Sequence, residues 1–115
     1  MRYRVERALD TDRDLALIFD FLVQSYIDFG DKPGAALDHA ARRLIAIETA
    51  MEDLARAPHQ GTLLPDLLAG LRSVTKDRAV FYFDVDDEQR VVRVLAIFFG
   101  AQDHRRHMLK RLMAR

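Results

Sequence analysis

The feature that most limits what this chain can fold into is a change of hydrophobic period between Pro58 and Leu71. From Leu15 to Leu54 apolar residues recur in steps of three and four, the spacing of one helical face; from Leu71 to Phe99 they alternate, the spacing of a strand with one buried side. Helices gathered in the first half and strands in the second cannot supply the alternating units of a parallel sheet. The pattern therefore implies an α+β fold, with a helical hairpin packed on one face of a mostly antiparallel sheet.

The elements follow from the same periods. Residues 2–8, RYRVERA, place Tyr3, Val5 and Arg7 on one side and Arg2, Arg4 and Glu6 on the other, which predicts a first strand. A helix is expected over TDRDLALIFDFLVQSYIDFG, with Thr11 and Asp14 at capping-box spacing, Leu15, Ile18, Phe19, Leu22, Tyr26 and Phe29 along it, and Gly30 as its stop. Pro33 fits the first turn of a second helix whose apolar side runs Leu37, Ala40, Leu44, Ile47, Met51 and Leu54 up to Pro58. The short link around Asp31 and Lys32 makes these two an antiparallel pair, and Leu15, Ile18, Leu22, Leu44, Ile47 and Met51 are their expected contacts with the sheet. PHQGTLLPD reads as a loop. Residues 71–76, Ala79–Val85 and Val91–Phe99 read as three strands, the last two joined by the polar run Asp86, Asp87, Glu88, Gln89. Asp103 can cap a closing helix with Met108, Leu109, Leu112 and Met113 on its apolar side. The order is β-α-α-β-β-β(-α), and the closing helix, cationic and apolar on one side only, is expected to serve a partner more than the core.

Residues 1–115 are read as a single domain, because a chain of this length buries about two-thirds of its unfolded surface and needs no metal or disulfide to fold. Without cysteine, a disulfide framework and a thiolate zinc site are excluded. No apolar run approaches the ~20 residues of a membrane span, and MRYRVERAL has no apolar core of a signal peptide, so a cytoplasmic protein with no membrane partner is expected. Eighteen basic and eighteen acidic residues cancel, which argues against a protein built to grip a phosphate backbone, although the segment from His104 onward is basic and holds no acid.

Chemistry at a metal or cofactor finds little support. His104 and His107, three apart beside Asp103, supply too few ligands for zinc, and His39 and His59 are isolated. Asp84, Asp86, Asp87 and Glu88 lack the spacing and central glycine of a calcium loop. Neither Ser25 nor Ser73 lies in a nucleophile elbow, and there is no phosphate-binding glycine loop. No metal and no cofactor are expected. What remains is the basic set Arg72, Lys76, Arg78, Arg90 and Arg93 on the three-strand meander, with residues 102–107 beyond it. Arg78 opens a strand whose apolar residues fix its root, as recognition of a carboxylate or phosphate prefers; the bland alternative is an ion pair with Asp77, Asp84 or Asp103.

These residues carry a resemblance. GLRSVTKDRAVFYFDVDDEQRVVRVLAIFFGAQDH is similar to the RelE/ParE superfamily, the toxins of type II toxin–antitoxin pairs, in its opening Gly70-Leu71-Arg72, Arg78 before an apolar strand, the acidic hairpin, the Val-rich strand, and Gly100 followed by Asp103. The resemblance implies a cognate antitoxin and one of two targets. RelE-like members are ribosome-dependent endoribonucleases that cut messenger RNA without metal, using clustered Lys and Arg with a Tyr or His. ParE-like members inhibit DNA gyrase and lack that set. Here the basic positions before the Leu-Arg pair fall on Leu68 and Gly70, the arginine after the last strand on Gln102, and the tyrosine of the terminal helix on Met108. A ParE-like, non-catalytic inhibitor is therefore favoured, with Arg72, Lys76, Arg78, Gln102, Asp103 and His104 facing the target. A nuclease would instead rely on Arg78 with His104 or His107 as acid or base, acting with ribosome and mRNA; a third reading is a non-toxic relative that only binds an antitoxin.

Overall fold

The structure is a computed structural model describing residues 2–100 and 104–114, the side chains of His104 and Arg105 excepted. It has the expected α+β architecture. Strand β1 (Arg4–Arg7) leads into helices α1 (Leu9–Asp28) and α2 (Pro33–Glu52) and a 3₁₀ turn (Asp53–Arg56). Then come β2 (Thr62–Leu63), β3 (Arg72–Lys76), β4 (Ala79–Asp86), β5 (Val91–Phe99) and α3 (His104–Met113). The sheet runs β1-β5-β4-β3-β2. All neighbours are antiparallel except β1, which returns beside β5 in parallel because the helical hairpin carries the chain back across the sheet.

The helical stripes face the sheet as their spacing requires. Leu15, Ile18 and Leu22 of α1 and Ile47 and Met51 of α2 are buried against Phe81, Phe83, Val92, Val94 and Ile97, and Leu44 packs at the edge of the same cluster. Ala36 and Ala40 are wholly buried, the small side chains that let a helix approach its neighbour closely. Leu37 and Phe29 point to solvent despite their helical spacing.

Two local features depart from simple alternation. Part of the expected loop pairs as β2 with β3, and Gly61 beside it is obligatory: its φ is +83°, and a side chain there would run into the Ser73 carbonyl. Between β4 and β5, Tyr82 faces Ala96 while Phe83 faces Val94, so Leu95 of β5 is a bulge with no partner on β4. The extra residue shifts the alternation. Val94 and Ile97 therefore both face the helical hairpin, while Leu95 and Ala96 both face the other side.

That other side corrects the expectation for α3. Met108 is fully buried with Leu71, Tyr82, Leu95, Ala96 and Phe98, and Leu112 packs at the margin. The closing helix thus covers the second face of the sheet and belongs to the core, although Leu109 and Met113 stay exposed. The sheet is buried on both faces at β5, which is why VVRVLAIFF is almost continuously apolar. Among the described residues no helix is long and apolar enough to cross a membrane.

Candidate functional site

The distinctive surface lies where β1 stops. Beyond Arg7 the chain turns into α1, so β5 from Leu95 onward loses its parallel neighbour and presents an open edge. Gly100 N–H donates to the Arg78 carbonyl at 3.4 Å, which puts the even residues of this stretch toward β4 and turns Ile97 and Phe99 toward the edge. α1 supplies a substitute partner at one point: the Asp14 carboxylate accepts the Ile97 N–H at 3.0 Å. Arg111 of α3 completes the closure, donating to both Asp14 oxygens at 2.7 Å and to the Leu95 carbonyl at 3.3 Å. Asp14 is only 4 % exposed. The hydrogen bond to the Asp14 carboxylate holds the Arg111 guanidinium above its ordinary pKa, so the guanidinium stays charged over any working range.

Further along the edge, two guanidinium groups approach the Phe99 ring. The guanidinium carbons of Arg43 and Arg78 sit 5.6 and 5.7 Å from its ring centre, and Phe21 of α1 approaches to 6.0 Å between ring centres. Arg78 is placed there by a tight turn between β3 and β4 in which Asp77 and Arg78 have φ of 56° and 66°. Both central residues in the left-handed region is the geometry of a type I′ hairpin, a conformation that costs a non-glycine residue about 1–2 kcal/mol. Arg43 ties the turn to α2, donating to the Asp77 carbonyl at 3.0 Å and meeting its carboxylate at 3.6 Å. Arg78 makes no ion pair among the described residues; Asp77 is engaged by Arg43, and Asp84 by Arg93 at 3.1 Å. A cleft of about 330 Å³ opens beside this group, lined by Phe21, Tyr26, Phe29, Arg43, Arg78 and Phe99. A second, of about 220 Å³, continues it past Leu17 and Phe98 to His107 and Arg111.

The expected target-facing residues do not all meet. Arg78 lies in the groove, and Lys76 is close by at the end of β3. Arg72 is at the opposite end of that strand, where it donates to the His59 carbonyl at 2.7 Å. It stands near a separate exposed cluster in which Tyr3 O–H donates to Asp87 at 2.6 Å and His59 lies 2.8 Å from the same oxygen. The Tyr3 hydrogen bond, helped by His59, lowers the Asp87 pKa below the usual carboxylate range and raises that of Tyr3. Gln102 and Asp103 lie outside the described residues, as does the side chain of His104. His107 is exposed and packs against Phe98 with ring centres 5.7 Å apart.

Sequence reasoning missed Asp14, Arg111 and Arg43. Asp14 had a signal: it falls on the apolar stripe of α1 between Thr11 and Ile18, where a carboxylate needs a buried partner. The groove as built is aromatic and aliphatic with arginines at its margins, a composition suited to holding another polypeptide. Among the described residues no three His, Asp or Glu side chains come together to hold a metal ion.

Three comparisons bear on identity. A search of curated proteins finds no match. Among solved structures, the chain is similar to one in the RelBE2 toxin–antitoxin complex from Mycobacterium tuberculosis, with 26% identity, a TM-score of 0.60, and coverage of 89% of this chain and 95% of that one. It shares the fold of a chain in the chromosomal ParDE toxin–antitoxin system from P. aeruginosa, at 18% identity and a TM-score of 0.64 over 84% of this chain and 95% of that one. The family model for the ParE toxin of the type II toxin–antitoxin system parDE matches residues 5–104, from within β1 through the helical hairpin and β2–β5 to the start of α3. The chain therefore belongs to the ParE toxin family of type II toxin–antitoxin systems.

Proposed function

We propose that this toxin arrests growth by binding DNA gyrase, without bond-breaking chemistry of its own, and that a cognate antitoxin neutralises it by covering the same groove. The observation that carries the reading is the Arg43–Phe99–Arg78 group beside exposed Phe21 and Phe29. Aromatic and arginine side chains held by rigid elements are the usual energetic centre of a protein–protein contact. A nuclease needs clustered cations with an acid and a base. Here Arg72 is diverted to the far end of β3, and Met108, at the position of the nuclease tyrosine, is buried beneath the sheet. An amphipathic antitoxin segment laid along the helical hairpin and the open edge of β5 would bury Leu17 and Phe21.

The test compares two reactions of the purified toxin. Loss of gyrase supercoiling with intact ribosome-bound message supports the proposal. Cleaved message with unaffected gyrase overturns it and moves the assignment to the nuclease branch. Within the first outcome, Arg78→Lys is informative, because it retains the charge but loses the planar guanidinium and its stacking on Phe99.

A further inference from the structure

The opposite border of the sheet carries a second surface. β1 is the outermost strand, and its Arg4 and Ala8 N–H groups donate to the Arg90 and Val94 carbonyls of β5 at 3.0 and 2.9 Å. Even-numbered residues of β1 therefore direct their backbone groups inward. Those of Tyr3, Val5 and Arg7 point away from the sheet, a row of donors and acceptors available to another strand.

We propose that this edge pairs with the β1 edge of a second copy, antiparallel and two-fold symmetric about Val5. Hydrogen-bond parity demands that odd residues face odd residues, which limits the central positions to Arg4, Val5 or Glu6. Centring on Arg4 or on Glu6 sets like charges directly opposite. Centring on Val5 sets Arg4 opposite Glu6 of the other copy, twice, in the closely spaced pairs where side chains lie nearest. It also places Tyr3 across from Arg7. Arg4 and Glu6 are half to two-thirds exposed and now satisfy each other within one strand at 3.1 Å, so the pair can be exchanged between copies without stranding a charge. Charge on an edge strand ordinarily guards it against pairing, but this order of signs is self-complementary in the one register. The neighbouring groove between β1 and the end of α2 agrees, its rim holding Arg2 and Arg56 together with Glu52 and Asp53. Beside it Ile45 is 63 % exposed, an apolar residue that a symmetric contact can cover.

Sedimentation or light scattering of the purified chain over a range of concentrations tests this. The expected result is a concentration-dependent dimer. Arg4→Glu should weaken it about tenfold by opposing like charges at two symmetric positions, and the double change Arg4→Glu with Glu6→Arg should restore it. Val5→Pro removes an outward N–H while leaving the bonds to β5 in place, and should abolish dimerisation with an unchanged circular dichroism spectrum. A chain that stays monomeric throughout, a dimer whose constant is unmoved by the single charge change, or one that is weakened by it and not restored by the double change, overturns the proposal. The charge variants decide the matter even if the proline variant fails to fold.

Discussion

Replacing Asp14 by Asn tests the claim that the open edge of β5 is closed by one buried ion pair. The asparagine keeps the shape and one carbonyl oxygen for the Ile97 N–H, but it removes the charge and presents an amide to the Arg111 guanidinium. Removing one partner of a buried pair costs about 3–5 kcal/mol, most of it from the charge left behind. Two observations set the value here. Asp14 is 4 % exposed, which argues for the full cost, whereas the Arg111 side chain is 21 % exposed and sits on the last helix, from which it can turn toward water. The expected loss is about 3 kcal/mol, or roughly 10 °C in Tm for a chain of this size. Arg111→Met keeps an apolar side chain of similar length but removes the guanidinium that lies 5.5 Å from the Phe98 ring centre and isolates the Asp14 charge, so the double-mutant cycle should give a coupling of about 2 kcal/mol. Urea unfolding of the four proteins measures both quantities. A loss under about 1 kcal/mol with coupling below about 0.5 kcal/mol would refute the reasoning and make the bridge a surface pair of ordinary weakness.

Met108→Ala should destabilise by about 2–5 kcal/mol, and a chain ending before α3 should fold poorly; near-native urea midpoints would mean the helix is peripheral. Arg78→Gly relieves the left-handed strain of the turn while deleting the guanidinium, so stability should hold within about 1 kcal/mol while growth inhibition is lost; full toxicity would remove Arg78 from the target surface. Tyr3→Phe should raise the Asp87 pKa back toward the usual carboxylate range. The Asp87 contribution to stability is present above its unfolded-state pKa and lost as pH falls through the depressed folded one. The Tyr3 contribution is present below the unfolded phenol value and lost as pH rises through the raised one. An NMR titration of the Asp87 carboxyl that is unmoved by Tyr3→Phe would contradict this coupling.

The number of major elements, their type and their inward faces could be read along the chain, because period is a local property: whether Leu15, Ile18 and Leu22 share a side depends only on backbone geometry. The same logic located Arg78 before an apolar strand and supported the family resemblance. It failed for α3, where a one-sided apolar pattern is identical whether the helix meets a partner or the second face of its own sheet. It failed also for β2, whose two residues are too few to show a period.

What the tertiary structure alone decided is which distant groups meet. Asp14 and Arg111 are 97 residues apart, and nothing local distinguishes Arg111 from the other basic residues of its helix. Their meeting follows from the place where β1 ends, which leaves a strand edge between α1 and α3 within reach of both side chains. Likewise Arg43 and Arg78 converge on Phe99 because α2 and the β3–β4 turn flank the end of β5. Amphipathic spacing tells a side chain to be buried or exposed, since burial is a property of the residue and its period; the choice of partner depends on how whole elements dock.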